Sequence, residues 1–351
     1  MIFVTGSAGF IASNFILNYL ENYDEKVLGI DNLTYASNIP LLEDLKKNDK
    51  FLFYKLDINN SLEIEELLYT YKPNKIINFA AESHVDKSIS NPDSFIKSNI
   101  VGTYNLLKCA RKYQSECFRI NSKDFIFLHI STDEVFGSLE PEEASSTELS
   151  QYKPNSPYAA SKAASDHIVR SFNRTFNLNT ITTNCSNNYG PYQFPEKLIP
   201  LIINNCLLEI SLPIYGDGLS VRDWIYVEDH CNALIAIMEN GKIGESYNIG
   251  GENQISNIEL VKHICILLDK KKPSSNLKTY QDLIKFVPDR LAHDRRYSID
   301  IAKIKEHTGW KPKKNLTIGV SETVDWYLAN LDWLKNIKNN DFEKWIKDQY
   351  Q

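Results

Sequence analysis

The sequence predicts an α/β protein: a doubly wound parallel sheet with a smaller, mixed α/β lobe toward the C-terminus. Three observations carry this. Short apolar runs rich in β-formers alternate with amphipathic helical patterns through residues 1–130, the pattern of strands joined by crossover helices. The first run, Met1-Ile2-Phe3-Val4, leads directly into a glycine-rich turn and a helical stretch. The second run ends on an acid, Asp31. Strand, glycine turn, helix and downstream acid together make the dinucleotide-binding (Rossmann) fingerprint.

The totals narrow the class. At 351 residues the chain is long enough for a large core in two lobes. With 42% hydrophobic and 24% charged residues it has the composition of a soluble globular protein. A net charge of −6 argues against a nucleic-acid partner, while a locally basic pocket would still take an anionic ligand. The six cysteines, Cys109, Cys117, Cys185, Cys206, Cys231 and Cys265, show no paired C-x-x-C spacing. Neither a zinc site nor a disulfide framework is expected, and reduced thiols in a cytoplasmic protein are the reading. No basic, cleavable leader precedes the first strand, so a signal peptide is not expected. No apolar run is long enough to span a membrane.

Thr5-Gly6-Ser7-Ala8-Gly9-Phe10-Ile11-Ala12-Ser13 follows the first strand. Gly6 and Gly9 let the backbone approach a pyrophosphate, which the N-terminus of the next helix favours. Ala12 stands where many such loops have a third glycine; alanine is permitted where the helix packs closely on the sheet. Residues 26–30 are the second strand. Asp31 at its end can hydrogen-bond the ribose hydroxyls of an adenosine and would repel a 2′-phosphate, which favours NAD over NADP. The third strand, 51–56, runs into Asp57-Ile58, an adenine contact by the same logic. Leu62, Ile64, Leu67 and Leu68 then fit an amphipathic helix. The fourth strand, 75–79, runs into Ala80-Ala81-Glu82-Ser83-His84-Val85-Asp86, whose small residues let a ring or phosphate lie against the backbone. His84 has no second ligand at metal spacing and reads as a loop-fixing residue.

A long helical pattern over 95–113 contains Asn99, and the next strand is 125–130. It ends in Ser131-Thr132-Asp133-Glu134-Val135-Phe136-Gly137, at the strand end where open α/β sheets bind ligands. Residues 138–156 lack an apolar period and read as a surface loop. The following helix carries Tyr158 and Lys162, four apart and therefore on one face. Residues 180–183 are a strand, and 184–197 a long loop dense in amides, glycine and proline, of the kind that is usually functional. Ile214-Tyr215-Gly216-Asp217-Gly218 reads as a hairpin turn. Arg222 is either a diphosphate clamp or a surface ion pair, and spacing does not choose. Residues 247–251 are a further strand and turn, and Trp310, Trp326 and Trp333 sit at amphipathic positions as packing surface.

A free phenol titrates near about 10. A neighbouring ammonium and a positive nicotinamide ring favour phenolate, so Tyr158 is expected to titrate closer to neutrality. It can then take the proton of a sugar or alcohol hydroxyl while the carbon's hydride goes to NAD⁺. Lys162 can hold the nicotinamide ribose, and Thr132 can donate to the oxygen being oxidised. Hydride transfer needs only these three. Asp133 and Glu134 imply proton traffic at a second carbon. Beside a new ketone the C–H is acidic: a base takes that proton and an acid expels a β-hydroxyl as water. Adjacent strand residues face opposite ways, so both carboxyls reach one site only if the strand has ended. Gly137 permits that.

On these residues the chain resembles the extended short-chain dehydrogenase/reductase superfamily and, within it, the dTDP-glucose 4,6-dehydratases. The match rests on the glycine turn, Asp31-Asn32-Leu33-Thr34-Tyr35-Ala36, the stretches 80–86, 131–137, 158–162 and 184–200, and Arg222-Asp223-Trp224. The resemblance implies tightly held NAD, recycled within one turnover. It implies an NAD-binding lobe over 1–185 and 223–251, and a nucleotide-sugar lobe over 186–222 and 252–351. Tyr158, assisted by Thr132, would start oxidation at C4. Glu134 would remove the C5 proton, Asp133 would protonate the departing C6 hydroxyl, and hydride would return to C6, giving the 4-keto-6-deoxy sugar. By the same resemblance Gly6, Gly9, Phe10, Ile11, Asp31, Asn32, Leu33, Thr34, Asp57, Ile58, Ala80, Ala81, Ser98, Tyr158, Lys162 and Asn188 would hold the cofactor. Glu82, Ser83, Thr132, Asn187, Lys197, Leu198, Pro213, Tyr215, Arg222, Asn257, Asp289 and His293 would hold the nucleotide sugar. A homodimer pairing through 97–113 and 158–175 is implied, and no metal. Leu291 and Ala292 depart from the Pro and Gly usual in the family, in a loop expected near the nucleotide.

A nucleotide-sugar 4-epimerase would share the cofactor loop and the Tyr/Lys pair without needing Asp133 and Glu134. A UDP-glucose dehydratase would differ by one methyl group on the base, a contact worth only about 1–3 kcal/mol of discrimination. A non-catalytic NAD-binding protein would be expected to have lost Tyr158, Lys162 or Thr132, and all three are present.

Overall fold

A computed structural model describes residues 1–118 and 124–337. Its strands are β1 (Ile2–Thr5), β2 (Val27–Asp31), β3 (Phe51–Lys55), β4 (Lys75–Asn78), β5 (Ile126–Thr132), β6 (Thr180–Cys185), β7 (Asn187–Tyr189), β8 (Leu212–Tyr215), β9 (Val221–Tyr226), β10 (Ser246–Ile249), β11 (Gln254–Ser256) and β12 (Ile284–Val287), of which β7 falls inside the stretch 184–197 expected as a loop. Seven of them form one sheet in the order β3-β2-β1-β4-β5-β6-β10, parallel throughout. The expected doubly wound sheet is present. The order reverses between β1 and β4, so a crevice opens at their carboxyl ends.

Every residue of β1, β2 and β5 is buried, because crossover helices cover both faces of a parallel sheet. The two-residue period sorts the side chains. Ile2 and Val4 join Phe15, Ile16, Leu234 and Ile237 on one face. Phe3, Leu28 and Phe127 join Leu106, Leu107 and Val169 on the other.

The smaller lobe is mixed, as expected. It holds a three-stranded sheet, β11-β9-β7, and a two-stranded one, β12-β8. Its own core includes Ile199, Ile203, Leu260, Ile264, Val324 and Tyr327. Residues 338–351 of the expected lobe lie outside the described residues.

Three sequence expectations need correction. No hairpin forms at 214–218. Gly216 and Gly218 do turn the chain at positive φ, but β8 pairs in parallel with β12, and β9 joins β7 and β11. The stretch 95–113 is not one regular helix: Ile96–Gly102 is π-helical, and the α-helix Thr103–Cys117 follows. Ile301, Ile304 and Trp310, within a stretch assigned to the smaller lobe, pack into the core of the large sheet. The helix Ala302–Thr308 that carries Ile304 lies against the helix Val227–Asn240 and β10. Among the described residues no helix is long and apolar enough to cross a membrane.

Candidate active site

β5 ends at Thr132, whose Oγ1 accepts a hydrogen bond from the Glu134 N–H (3.3 Å). This caps a single 3₁₀ turn, Asp133–Phe136. Gly137 closes it at φ +79°, where an added Cβ would collide with the Lys153 carbonyl. Because the strand has ended, Asp133 and Glu134 line one cavity instead of opposite faces. The next helix, Pro157–Phe176, is started by Ser156, whose Oγ accepts from Ala159 N (3.1 Å), with proline in the first turn. It delivers Tyr158 and Lys162 to the same cavity, both buried.

The cavity has a volume of about 310 Å³. It is lined by Gly6, Gly9, Phe10, Ile11, Asp31, Asn32, Thr34, Asp57 and Ile58 from the first three strand ends, by Ala80, Ala81, Glu82, Ser83 and Ser98, and by Thr132, Asp133, Glu134, Tyr158, Lys162, Asn187, Asn188 and Lys197. At Gly6 (φ +66°) a Cβ would lie 2.8 Å from the Ala80 backbone. The first turn therefore crosses the end of β4 with no room for a side chain, and its backbone faces the cavity.

Asp31 is more occupied than its sequence position suggests. Its carboxylate already accepts from Ala8 N (3.0 Å), Leu33 N (2.7 Å) and Ser37 Oγ (3.3 Å). About one of its four acceptor sites is left for a ribose hydroxyl, where two bonds were expected. The π-turn shapes the site. Asn99, buried there, accepts from Glu82 N (2.9 Å) and donates to Glu82 O (3.0 Å) and Ser161 Oγ (2.8 Å). One side chain thus ties the 80–84 loop to the Tyr158 helix, and π-turns often sit at such functional points.

Eight residues expected at the site do not line this cavity: Leu33, Leu198, Pro213, Tyr215, Arg222, Asn257, Asp289 and His293. Leu33 sits at φ +59°, with its N–H spent on Asp31. Tyr215 gathers with Arg290 around Asp86, at 3.1 and 3.2 Å. His293 bonds Asp289 (2.6 Å), and its ring meets that of Tyr215 edge-on. Leu198 and Asn257 open the helices Leu198–Leu207 and Asn257–Lys271, and Pro213 lies within β8. Arg222 is not a surface ion pair. It is buried, donates to the Val221 (2.8 Å) and Asp294 (2.9 Å) carbonyls, and lies 4.3 Å over the Tyr297 ring. Ala292 adopts φ +52°, a left-handed conformation that glycine takes freely and that costs an L-residue about 1–2 kcal/mol. The backbone keeps a glycine-like turn although the side chain has changed.

The two carboxyls are held differently. Burial, then Glu134 and Asp223, push Asp133 well above the carboxylate range. Its Oδ1 accepts from Thr132 (3.4 Å), and its Oδ2 meets no partner among the described residues. Burial also raises Glu134, and Arg290, Arg222 and Lys197 offset only part of that rise. The protein's own groups do not bring Tyr158 toward neutrality; that expectation includes the charge of the nicotinamide ring. Burial, Glu134 and Cys185 hold its phenol well above the ordinary value, and a hydrogen bond with Thr132 only partly offsets them. Within the protein alone Lys162 does not supply the balancing charge; its Nζ donates to the Ile130 carbonyl (2.8 Å).

His84 caps the helix Val85–Ser90, its Nδ1 accepting from Lys87 N (3.5 Å). Lys197 Nζ bonds the Ser83 carbonyl (3.0 Å). Asn188 is fixed by His230 Nδ1 (2.8 Å) and the Ser186 carbonyl (3.0 Å). Cys185, Gln193, Phe194 and Glu196 also line the cavity and were not singled out from sequence. Glu196 is buried and accepts from the Tyr35 hydroxyl (3.0 Å); its only sequence signal is membership of the amide-rich loop. Among the described residues no cluster of His, Cys, Asp and Glu could hold a metal ion.

The family profile of GDP-mannose 4,6 dehydratase matches residues 3–323. The chain is 48% identical over 358 residues to the dTDP-glucose 4,6-dehydratase of Shigella flexneri, covering 100% of this chain and 99% of the relative. The dTDP-glucose 4,6-dehydratase of Bacillus anthracis, solved in complex with NAD, superposes with a TM-score of 0.83 at 41% identity, over 96% of this chain and 99% of that one. The Streptomyces venezuelae enzyme of the same name, also with NAD bound, gives a TM-score of 0.86 at 39% identity, over 96% and 99%.

Proposed function

The chain belongs to the dTDP-glucose 4,6-dehydratase family, and from that premise we infer that it dehydrates dTDP-glucose to dTDP-4-keto-6-deoxyglucose with NAD. One observation carries the reading: the 3₁₀ turn at the end of β5 brings Asp133 and Glu134 into the cavity that Tyr158 and Lys162 also line. An alcohol oxidation alone has no use for that pair of carboxyls.

The residues fit NAD. The Gly6 turn, with no room for a Cβ, would receive the pyrophosphate against backbone. Asp31 would take one ribose hydroxyl, Asp57 and Ile58 would flank the adenine, and Lys162 would hold the nicotinamide ribose. When bound, NAD accepts hydride from C4 and returns it at C6. The larger lobe, 1–185 and 223–251 with the helix Ala302–Thr308 packed onto it, would carry the cofactor, and 186–222 with the rest of 252–351 the nucleotide sugar. Ser83, Asn187 and Lys197, which line the cavity, would meet the nucleotide sugar.

Tyr158 takes the C4 hydroxyl proton, with Thr132 donating to the same oxygen. The ketone acidifies the C5 hydrogen, and Glu134 removes it. Three cationic neighbours keep Glu134 usable as a base. Asp133, held protonated by its burial, gives its proton to the C6 hydroxyl, which departs as water. Glu134 then returns a proton to C5, so that carbon acquires solvent hydrogen.

Incubation with dTDP-glucose in heavy water, without added NAD, should yield a product that has lost one water and carries one carbon-bound deuterium. A C4 epimer of unchanged mass and no deuterium would overturn the dehydratase. Exclusive turnover of UDP-glucose would reassign the base.

We propose in addition a homodimer in the cytoplasm. Val101 and Tyr104 are exposed on the stretch 97–113 expected to pair, with Ile96 and Phe176 exposed just beyond the two stretches, and the cysteines are free thiols. Sedimentation equilibrium should return twice the chain mass; the single-chain mass would rule the dimer out.

A further inference from the structure

Asp166 lies one turn beyond Lys162 on the helix Pro157–Phe176 and is buried with only 4% of its surface exposed. Its Oδ2 accepts from three donors: Ser131 Oγ (2.9 Å), Tyr152 OH (3.0 Å) and Asn184 Nδ2 (3.1 Å). Its Oδ1 lies 3.4 Å from His129 Nε2. Oδ2 is thus fully engaged as an acceptor, while Oδ1 accepts no hydrogen bond among the described residues. A buried carboxylate is costly unless a cation answers it, and Lys162, also buried, stands four residues away on the same helical face.

Among the described residues, the other titratable groups around Lys162 are shifted toward their neutral forms. The Cys185 thiol on β6 is pushed up to about 12 by burial and Asp133, so it stays neutral. The phenols of Tyr152 and Tyr158 are both raised, by burial first. His129 on β5 is lowered to about 4, by burial and then Lys162, and carries no charge. Burial pushes Asp133 well above the carboxylate range, away from the charged form. Burial lowers the lysine's pKa, and Asp166 is the first group opposing that, though the net direction stays downward.

We propose that Asp166 is the buried counter-ion of Lys162, a positioning residue that keeps the lysine charged and facing the cavity without touching substrate or cofactor. The proposal rests on the reading that Lys162 serves the oxidation step. The hydrogen bonds to Ser131, Tyr152 and Asn184 fix the carboxylate, and through Ser131 they fix the β5 end that carries Thr132. The role requires a charge and not merely a hydrogen-bond acceptor.

Asp166→Asn keeps the shape and one acceptor oxygen but removes the charge. In the pH profile of NAD reduction by dTDP-glucose, one limb is expected to move to lower pH by about one unit or more, a tenfold change at the affected pH, with KM little changed. Tyr152→Phe removes a hydrogen bond and leaves the charge; it should lower Tm and leave both limbs in place. A profile for Asp166→Asn that superposes on wild type, or an equal shift in Tyr152→Phe, would overturn the proposal. Wild-type protein labelled with ¹⁵N-lysine gives a readout independent of turnover and of the variant's folding. The Nζ resonance of Lys162, assigned by its loss in Lys162→Met, should be that of an ammonium at neutral pH. An amine resonance there would overturn the proposal even if dehydration is confirmed, and an ammonium would sustain it even if the substrate proved different.

Discussion

Glu134→Gln is expected to lower turnover of dTDP-glucose by about 100- to 10,000-fold, the usual contribution of a positioned general base, while leaving oxidation at C4 intact. The amide keeps the side chain's length and its place in the 3₁₀ turn, so the cavity should survive. It cannot take the C5 proton. On mixing with substrate the near-ultraviolet absorbance of reduced nicotinamide should therefore rise and persist, where the wild type shows it only in passing. No solvent deuterium should reach C5. Deuterium incorporation at the wild-type rate would mean that another group takes the proton, and Glu82, which lines the same cavity, would be the next to test.

The large sheet was legible because parallel strands covered on both faces are written as continuous apolar runs, and each run ended where chemistry began. Asp31, Asp57, Ala80 and Thr132 all follow such a run. What escaped depends on partners distant in sequence. The glycines at 216 and 218 signal a turn truthfully, but not that Leu212 and Ile214 are buried in the smaller lobe's core and draw β8 to β12. The π-turn at 96–102 is hidden because its apolar pattern resembles that of a regular helix. Its cause lies elsewhere: Asn99 must reach Glu82 and Ser161, and Gly102 must leave room for Ile58. At the site, spacing found the side chains that carry the chemistry but not their electrostatics. Tyr158 and Lys162 share a helical face, yet within the protein alone burial pushes the phenol up, and the anion that answers Lys162 was not read at all. Asp166 looks like any helix-surface acid until Ser131, Tyr152 and Asn184 fold around it.

Tyr158→Phe should abolish the first chemical event, where Glu134→Gln blocks the second. Bound NAD should stay oxidised on addition of dTDP-glucose, with the rate of its reduction down by about 100- to 10,000-fold. Persistence of reduction at the wild-type rate would remove Tyr158 from the mechanism. The two variants are also coupled in sign. Within the protein alone the phenol stands well above its ordinary value, raised first by burial and then by the Glu134 carboxylate. A base whose pKa lies above the working pH gains active form as pH rises, so the tyrosine's contribution to NAD reduction increases with pH. Glu134→Gln removes a negative charge that opposes the phenolate. The tyrosine limb of the reduction profile should then move to lower pH, and reduction at neutral pH should be as fast as in the wild type or faster, even though turnover has collapsed. Tyr158→Phe should lose that limb altogether. A limb that stays in place in Glu134→Gln would show that the two groups do not share a field, and would contradict the single cavity from which both roles were assigned.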